Sequence, residues 1–329
     1  MFKKVALLVF ICVAIGIYFT MGGKNPLIKE TPPAPTEITI GETKASVQKL
    51  IAPVLTTKDP IKILDLAHQN DAFYISLRSD DNNSATLSAF KDENNVLSPL
   101  KTFGKDGEEV LDSKMILDVA FGESGTVYFM RNGFHAYKDG ADSISLEKKT
   151  SATKIALFPD ENSAYLYGND NFDLATIKEN SIEKVDPSFL KNRAAPFRGG
   201  LSQVVIDGNT IFGGGRIAPN GINIIASFDK GGKMLTQYGK PSKVAKDSLI
   251  SLISFAVSDN YVCVIDGFTV KVWKKDGSYV GSINNSEFLG NNLNAYKLVK
   301  VSGDTLAMLT YERNNETKAI DLSIYKITL

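Results

Sequence analysis

FAVSDNYVCVIDGFTVKVWKKDGSYVGSI, residues 255–283, alternates short apolar runs with tight polar turns. It follows FDKGGKMLTQYG, residues 228–239, where an aromatic residue, a few polar residues and glycine again precede an apolar run. Apolar runs rich in β-branched and aromatic residues, bounded by pairs such as Asp-Gly, are typical of β-strands joined by hairpin turns. The two copies of the pattern, Phe228–Gly232 and Trp273–Gly277, begin about 45 residues apart in the chain, as in a repeat protein. The stretch 228–283 therefore predicts one strand-and-turn module and the start of the next.

Two runs within this stretch resemble a known family. YVCVIDG at 261–267 and VKVWKKDG at 270–277 are similar to the blade of NHL-repeat and TolB-like six-bladed propellers. In those blades an "IYVxD"-like strand precedes a "VxVFDxxG" strand and hairpin. The resemblance implies a six-bladed β-propeller and leaves its ligand open, because one fold carries many functions.

Similar strand patterns recur through the rest of the chain at a spacing of about 45 residues, which is typical of propeller blades. Groups of four predicted strands begin at Ile61, Ile116, Lys154, Ser202 and Ile253. A last group, from Tyr296, offers only three strands, so we expect Glu37–Gly41 to supply its outer strand and close the ring. We expect one or two helical turns in the link up to Leu55. The predicted fold is all-β, a six-bladed propeller of four-stranded blades over residues 37–329. A β-sandwich or two smaller β domains would not explain this strand count.

The N-terminus carries Lys3 and Lys4, and an apolar run from Val5 to Phe19 follows them. This run is intermediate in length between a signal-peptide core and a spanning helix, which needs about 20 apolar residues. Residues 1–23 are thus predicted to be an apolar helix that acts as a signal anchor or a cleaved signal peptide, and the weak cleavage site favours the anchor. Residues 24–36 contain four prolines and predict an extended spacer. The propeller is expected in the cell envelope, anchored in the inner membrane on the periplasmic side, or secreted if the leader is cleaved.

Composition excludes some classes of function. Lysine plus arginine and aspartate plus glutamate each number 37, so no overall positive charge points to nucleic acid. Of the two cysteines, Cys12 lies in the leader and Cys263 in a predicted buried strand, so no disulfide is expected. Stability must therefore come from the hydrophobic core.

Two connections, 186–200 and 240–251, are longer than hairpin turns and join the outer strand of one blade to the inner strand of the next. Such loops lie on one propeller face, where partners commonly bind. They contain aromatic and basic residues, which predict a partner-binding patch suited to an acidic protein. The candidate residues are Phe189, Lys191, Arg193, Phe197, Arg198, Lys243 and Lys246. The alternative interpretation is ordinary solvated loop charge.

Candidate catalytic and metal-binding residues are few. His68 and His135 fall in different predicted blades and have no neighbouring Cys or Glu cluster, so each is interpreted as structural. The oxygen-rich segments 80–83 and 169–171 lack EF-hand spacing and are interpreted as turns. No catalytic residue, metal site or cofactor is predicted, and calcium is the one cation that the sequence leaves open.

The leading functional hypothesis is a non-enzymatic protein-binding or scaffolding propeller in an envelope assembly. The alternative is a lactonase-like hydrolase or lyase, because six-bladed propellers include enzymes that hold a divalent cation in the central channel. For that alternative, Asp65, Asp118 and Asn294 are the candidate channel residues. A third hypothesis is a sugar-binding module that uses Phe189, Phe197 and Phe288.

Overall fold

The β-strands of a computed structural model of this chain form six antiparallel sheets, and each sheet is one blade of a β-propeller. Contacts divide the chain into Met1–Pro33 and Ala34–Leu329. The structure describes residues 33–52, 55–57, 62–78, 85–103, 116–122, 124–131, 133–137, 144–147, 152–168, 172–178, 181–186, 197, 201–217, 221–290, 293–314 and 316–329. The predicted leader, residues 1–23, and most of the predicted spacer lie outside the described residues.

The strands follow one another blade by blade. The N-terminal strands are β1 (Thr36–Ile40), β2 (Thr43–Lys49) and β3 (Leu55–Thr57). Blade 1 contains β4 (Ile63–Gln69), β5 (Ala72–Arg78), β6 (Ala85–Glu93) and β7 (Val96–Phe103). Blade 2 contains β8 (Asp118–Phe121), β9 (Val127–Met130), β10 (Phe134–Tyr137) and β11 (Ile144–Glu147). Blade 3 contains β12 (Lys154–Leu157), β13 (Ser163–Tyr167), β14 (Phe172–Lys178) and β15 (Ser181–Asp186).

The second half of the chain continues in the same way. Blade 4 contains β16 (Leu201–Asp207), β17 (Thr210–Ile217), β18 (Ile222–Asp229) and β19 (Met234–Tyr238). Blade 5 contains β20 (Leu252–Val257), β21 (Tyr261–Asp266), β22 (Thr269–Lys274) and β23 (Tyr279–Asn284), and the short helix α1 (Asn285–Leu289) follows it. Blade 6 contains β24 (Leu293–Ser302), β25 (Thr305–Arg313) and β26 (Ile320–Thr328). β2 is the fourth strand of blade 6, and the same sheet also includes β1 and β3. The predicted six-bladed propeller of four-stranded blades is confirmed.

Blade 6 corrects the prediction for the N-terminal segment. The predicted outer strand, Glu37–Gly41, is the outermost strand of this sheet but does not pair with β26; β1 pairs with β2, and Val47 of β2 lies opposite Ile327 of β26. Gly41, at φ 61°, makes the turn that reverses the chain between β1 and β2. The link up to Leu55, where helical turns were predicted, instead supplies β2, and β3 then pairs with β26 further along the same edge.

The first strand of each blade lies innermost. β4, β8, β12, β16, β20 and β24 contact one another in that order, and β24 also contacts β4. We call the face at which these six inner strands begin the upper face. At this face the connection between blades 4 and 5, residues 239–251, reaches the inner strand β20, and one end of the central channel opens.

The core lies between neighbouring blades. Between blades 4 and 5, Phe212 and Tyr238 pack in one buried cluster with Phe255 and Trp273, and Trp273 is 1% exposed. Trp273 is therefore a packing residue between blades. Cys263 is buried and free. Adjacent sheets thus bury both of their faces, which is why strand β21 is apolar at consecutive positions instead of alternating.

Candidate functional site

The connection between blades 4 and 5, residues 239–251, holds two of the predicted binding residues on the upper face. Lys243 and Lys246 are both exposed, and Val244 between them is 93% exposed. Phe197, from the connection before blade 4, is buried at 7% and packs with Phe228. Its ring is therefore part of the core and is not offered at the surface. The remaining candidates, Phe189, Lys191, Arg193 and Arg198, lie outside the described residues.

The base of this connection is held firmly. Leu249 is fully buried, and its carbonyl accepts a hydrogen bond of 3.0 Å from the Asn223 backbone N–H. The Asn223 side chain donates to the Ile250 carbonyl at 3.0 Å. Lys240 and Asp247 close the base with an ion pair of 3.4 Å. The tip of the connection is thus presented from a fixed base.

Two further apolar side chains are exposed beside this base. Ile250 is 59% exposed, and Phe268, in the turn between β21 and β22, is 75% exposed. The Asp266 carboxylate ties the two segments together, because it accepts hydrogen bonds from the backbone N–H groups of Ile250 at 2.9 Å and Ser251 at 2.6 Å. We define the upper-face patch as Lys243, Val244, Lys246, Ile250 and Phe268.

Sequence reasoning found the lysines of this patch and missed its apolar members. The available signal was local: Phe268 follows Asp-Gly in a tight turn, and Val244 stands between two lysines in a polar connection. Turns are normally built from polar residues and glycine, so an aromatic residue at such a position is an observation that needs an explanation.

The second candidate site is a cavity of about 530 Å³ in the central channel, toward the upper face. It is lined mainly by side chains from the first half of the inner strands. Its charged lining residues are Asp65, Arg78, Asp118, Lys154 and Lys297. They come from five strands in four blades, so only the assembled ring brings them together. A further cavity of about 630 Å³, lined in part by His68, lies at the opposite ends of the inner strands.

A repeated β-bulge helps to place the polar lining of the channel. Four inner strands, β4, β16, β20 and β24, each leave one residue unpaired in the first half of the ladder, and β24 has a second irregularity at Val301. The residue after the unpaired one is Asp65, Gln203, Ser254 or Lys297, respectively. A bulge changes the direction in which the neighbouring side chains point. The bulge recurs near the start of the inner strand in these four blades.

Several of these side chains bridge to the next blade. The Gln203 amide accepts a hydrogen bond of 3.0 Å from the Phe255 N–H and donates one of 2.8 Å to the Phe255 carbonyl. Ser254 Oγ accepts one of 3.1 Å from the Leu298 N–H. Asp118 Oδ2 accepts one of 2.9 Å from the Ile155 N–H. The polar lining therefore joins blade to blade.

The charged residues also interact with one another. Lys297 Nζ lies 2.6 Å from Asp65 Oδ1, which pairs blade 6 with blade 1. Lys154 Nζ donates to the Ser202 carbonyl of blade 4. Because these charged groups are largely buried in one cavity, each one affects the ionisation of the others.

Burial and the neighbouring Asp65 raise the pKa of Asp118 to about 7. Burial alone would lower the pKa of Lys297, but the Asp65 and Asp118 carboxylates outweigh it and raise that pKa. Burial lowers the pKa of Lys154, and the nearby Asp118 offsets this only in part. The cavity therefore holds a carboxyl group that changes its charge near neutral pH.

The residues present do not fit a divalent cation in this cavity. Asp65 and Asp118 share it with the ammonium groups of Lys154 and Lys297, which repel a cation, and Asn294 is not among its lining residues. Within the described part of the chain, no three His, Cys, Asp or Glu side chains group as metal ligands. The oxygen-rich segments 80–83 and 169–171 lie outside the described residues.

The histidines and the third aromatic candidate contact neighbouring rings, backbone or core residues. The His68 ring packs 4.7 Å from the Phe73 ring, and burial lowers its pKa. His135 Nε2 lies 2.8 Å from the Arg131 carbonyl oxygen. Phe288, proposed above as a sugar-binding ring, is partly buried against the core of blades 5 and 6.

No family model matches this sequence, and no curated protein matches it. Among solved structures, the chain is similar to the Kuenenia stuttgartiensis hydrazine synthase, with 10% sequence identity and a TM-score of 0.48. The likeness covers 76% of this chain and 76% of that one. At this level of similarity, nothing about activity transfers from that enzyme to this chain. In the described part of the chain, no helix has the length and apolar character needed to cross a bilayer.

Proposed function

We propose that this chain is a non-enzymatic propeller that binds an acidic protein partner through its upper face, as a scaffolding module in an envelope assembly. The observation that carries the proposal is the upper-face patch, in which exposed apolar and basic side chains stand together on a fixed base. Val244 at 93% and Phe268 at 75% exposure are unusually open for apolar residues.

The composition of the patch supports a protein partner. Interfaces combine aromatic or aliphatic anchors with charges that steer association, and an anchor contributes most when the partner desolvates it. Phe268 and Ile250 would serve as anchors, while Lys243 and Lys246 would attract carboxylates. The sequence of the connection before blade 4 contains three further basic residues that support the same proposal: Lys191, Arg193 and Arg198.

The channel gives weaker support to the alternative, a lactonase-like hydrolase or lyase. A carboxyl group whose pKa is about 7, such as Asp118, is suited to proton transfer near neutral pH. However, its Oδ2 already accepts the Ile155 N–H, and the lysines that share the cavity disfavour the cation of that mechanism. The proposed roles of Asp118, Gln203 and Ser254 are therefore structural ones between blades.

The remaining parts of the proposal rest on the sequence. The apolar run Val5–Phe19 supports a membrane anchor with the propeller outside the cytoplasm. The YVCVIDG and VKVWKKDG runs support kinship with NHL-repeat and TolB-like propellers. The pairing of β2 with β26 supports closure of the ring by the N-terminal segment.

The test is capture of the partner from solubilised envelope, followed by zero-length carbodiimide coupling of lysine to carboxylate. We expect Lys243 or Lys246 to couple to an acidic segment of the partner, and the recovered amount to fall as salt rises. The variant Lys243→Glu with Phe268→Ser should lose most of the partner. The matched control is Leu235→Ser, because Leu235 is 52% exposed but lies on the outer strand β19.

Unchanged recovery with the patch variant would contradict the proposal. If Asp65→Asn or Asp118→Asn then abolished an activity of the protein, the enzyme alternative would replace it. Circular dichroism of each variant establishes beforehand that the propeller is folded.

A further inference from the structure

The lining of the central cavity carries more positive than negative charge. The contacts between blades neutralise only part of the positive charge. Three cationic residues, Arg78, Lys154 and Lys297, and two carboxylates, Asp65 and Asp118, are the charged residues of its lining, so its net charge is +1 when all are ionised. The Asp65 carboxylate is paired with Lys297 at 2.6 Å. Asp118 receives a backbone hydrogen bond from Ile155. One positive charge is therefore left without a neutralising carboxylate in the lining.

The donors of Arg78 and Lys154 are only partly used. Arg78 Nη2 donates to the Ile116 carbonyl at 2.9 Å, but Arg78 Nε is buried and has no hydrogen-bond partner among the described residues. Lys154 Nζ donates to the Ser202 carbonyl, and an ammonium group has three donors. A guanidinium group has five N–H donors and an ammonium group three, so Arg78 and Lys154 keep further donors for an acceptor in the cavity.

The cavity also offers apolar surface. Leu117 and Ile253 line it and are 38% and 43% exposed, although both lie at the starts of inner strands. Ile253 is the unpaired residue of the β20 bulge. A volume of about 530 Å³ is within the usual range of small-molecule sites. Polar donors and apolar lining residues thus share one cavity of suitable size.

We propose that the central cavity is a binding site for a carboxylate group carried on an apolar body. The carboxylate accepts hydrogen bonds from Lys154 and Arg78, and the apolar body contacts Leu117 and Ile253. The carboxylate comes either from a small organic acid or from the end of a peptide chain. The site is independent of the proposed protein partner, since the upper-face patch lies outside the cavity.

The test measures binding by calorimetry with the full-length chain in detergent. Hexanoate is the small-acid probe, and hexylamine and hexanol are its charge controls. A second arm uses the peptide acetyl-Ala-Ala-Leu with a free or an amidated C-terminus. Binding of hexanoate alone would assign the site to a free acid, and binding of the free-carboxylate peptide alone would assign it to a chain terminus. Binding of both supports the shared carboxylate chemistry.

Variants connect the binding to the cavity. Lys154→Gln and Arg78→Gln should each weaken hexanoate or peptide binding by about tenfold or more, because each loses a charged hydrogen bond. Asp118→Asn, which removes a negative charge from the cavity, should strengthen it. Lys240→Gln is the control, since Lys240 is an exposed upper-face lysine that does not line the cavity.

The inference is overturned if neither carboxylate probe binds more tightly than hexylamine. It is also overturned if Lys154→Gln and Arg78→Gln, both folded by circular dichroism, bind as the wild type does. Should Lys154→Gln fail to fold, Lys154→Arg and Asp118→Asn carry the test: the first should retain binding and the second should strengthen it. Failure of this test leaves the partner-capture result untouched, so the two proposals can fail separately.

Discussion

At the scale of single residues, Asp118 makes the channel sensitive to pH. Its pKa is raised from 3.8 to about 7 in the folded chain, so the folded state binds its proton more tightly than the unfolded state does. The facing groups are Asp65 from β4, Arg78 from β5, Lys154 from β12, Tyr167 from β13, and Tyr296 and Lys297 from β24. The contribution of Asp118 to stability is therefore complete below about pH 4 and is lost as the pH rises through about 7.

We expect Asp118→Asn to stabilise the protein more at pH 8 than at pH 5. Asparagine keeps an oxygen that can accept the Ile155 N–H but never takes a charge. The difference in unfolding free energy between the two pH values should be roughly 3 kcal/mol at most, because the folded pKa of about 7 lies two pH units above the lower pH. Thermal or urea unfolding of wild type and variant from pH 5 to pH 8 measures it.

The matched control for this measurement is Asp160→Asn, which changes an exposed carboxylate in the turn between β12 and β13. It should shift stability little, and by the same amount at both pH values. If Asp118→Asn behaved in the same way, Asp118 would not be the group that titrates in the channel.

At the scale of elements, the hairpin formed by β1 and β2 joins the outer strands of two blades. β2 extends the sheet of blade 6 at β26, and β1 contacts β23 of blade 5. Ile40 and Val47 are buried in the cluster that also contains Val272 and Ile327. A Cβ added to Gly41 would lie 2.0 Å from the Val280 carbonyl oxygen, so the turn of the hairpin sits directly on β23.

Removing this hairpin should destabilise blade 6. We expect a variant that lacks residues 1–49 to melt at a lower temperature and to self-associate, because β26 then exposes part of its edge and its apolar contacts. A variant that lacks residues 1–41 removes β1 and keeps β2 on β26, so it should lose less. Calorimetry and sedimentation of both variants make the comparison.

The control for the two deletions is a variant that lacks only residues 1–33, which keeps the whole hairpin. Its melting temperature should match that of the full chain. Equal melting temperatures and a monomeric state for all three variants would show that the N-terminal segment does not close the ring.

At the scale of the whole molecule, the prediction concerns location. The apolar run Val5–Phe19 is followed by a weak cleavage site, so we expect the native protein to fractionate with membranes and to resist extraction by salt. The control is a variant that lacks residues 1–23, which should be recovered in the soluble fraction. Recovery of the native protein in soluble form, with its N-terminus near Gly23, would identify the leader as a cleaved signal peptide.

The sequence by itself determined the strands and the blade count. In YVCVIDG and VKVWKKDG, apolar runs and glycine turns act through neighbours in the chain, so each strand can be predicted locally. The inner strands of the six blades begin within three residues of the predicted starts of the six strand groups. The exposure of Lys243 and Lys246 also followed, because a connection between blades lies at the surface.

Only the tertiary structure decided which residues meet. Thr43–Lys49, and not Glu37–Gly41, reaches β26, because the pairing depends on a chain reversal at Gly41 and on a partner almost three hundred residues away. Phe197 is buried because it packs in the cluster formed by blades 3 and 4, and its position in a connection does not indicate this contact. Asp65, Asp118, Lys154 and Lys297 share a cavity because the ring brings the starts of four inner strands together. Periodicity is a local property of the chain, whereas pairing between distant strands and the convergence of side chains are properties of the assembled ring.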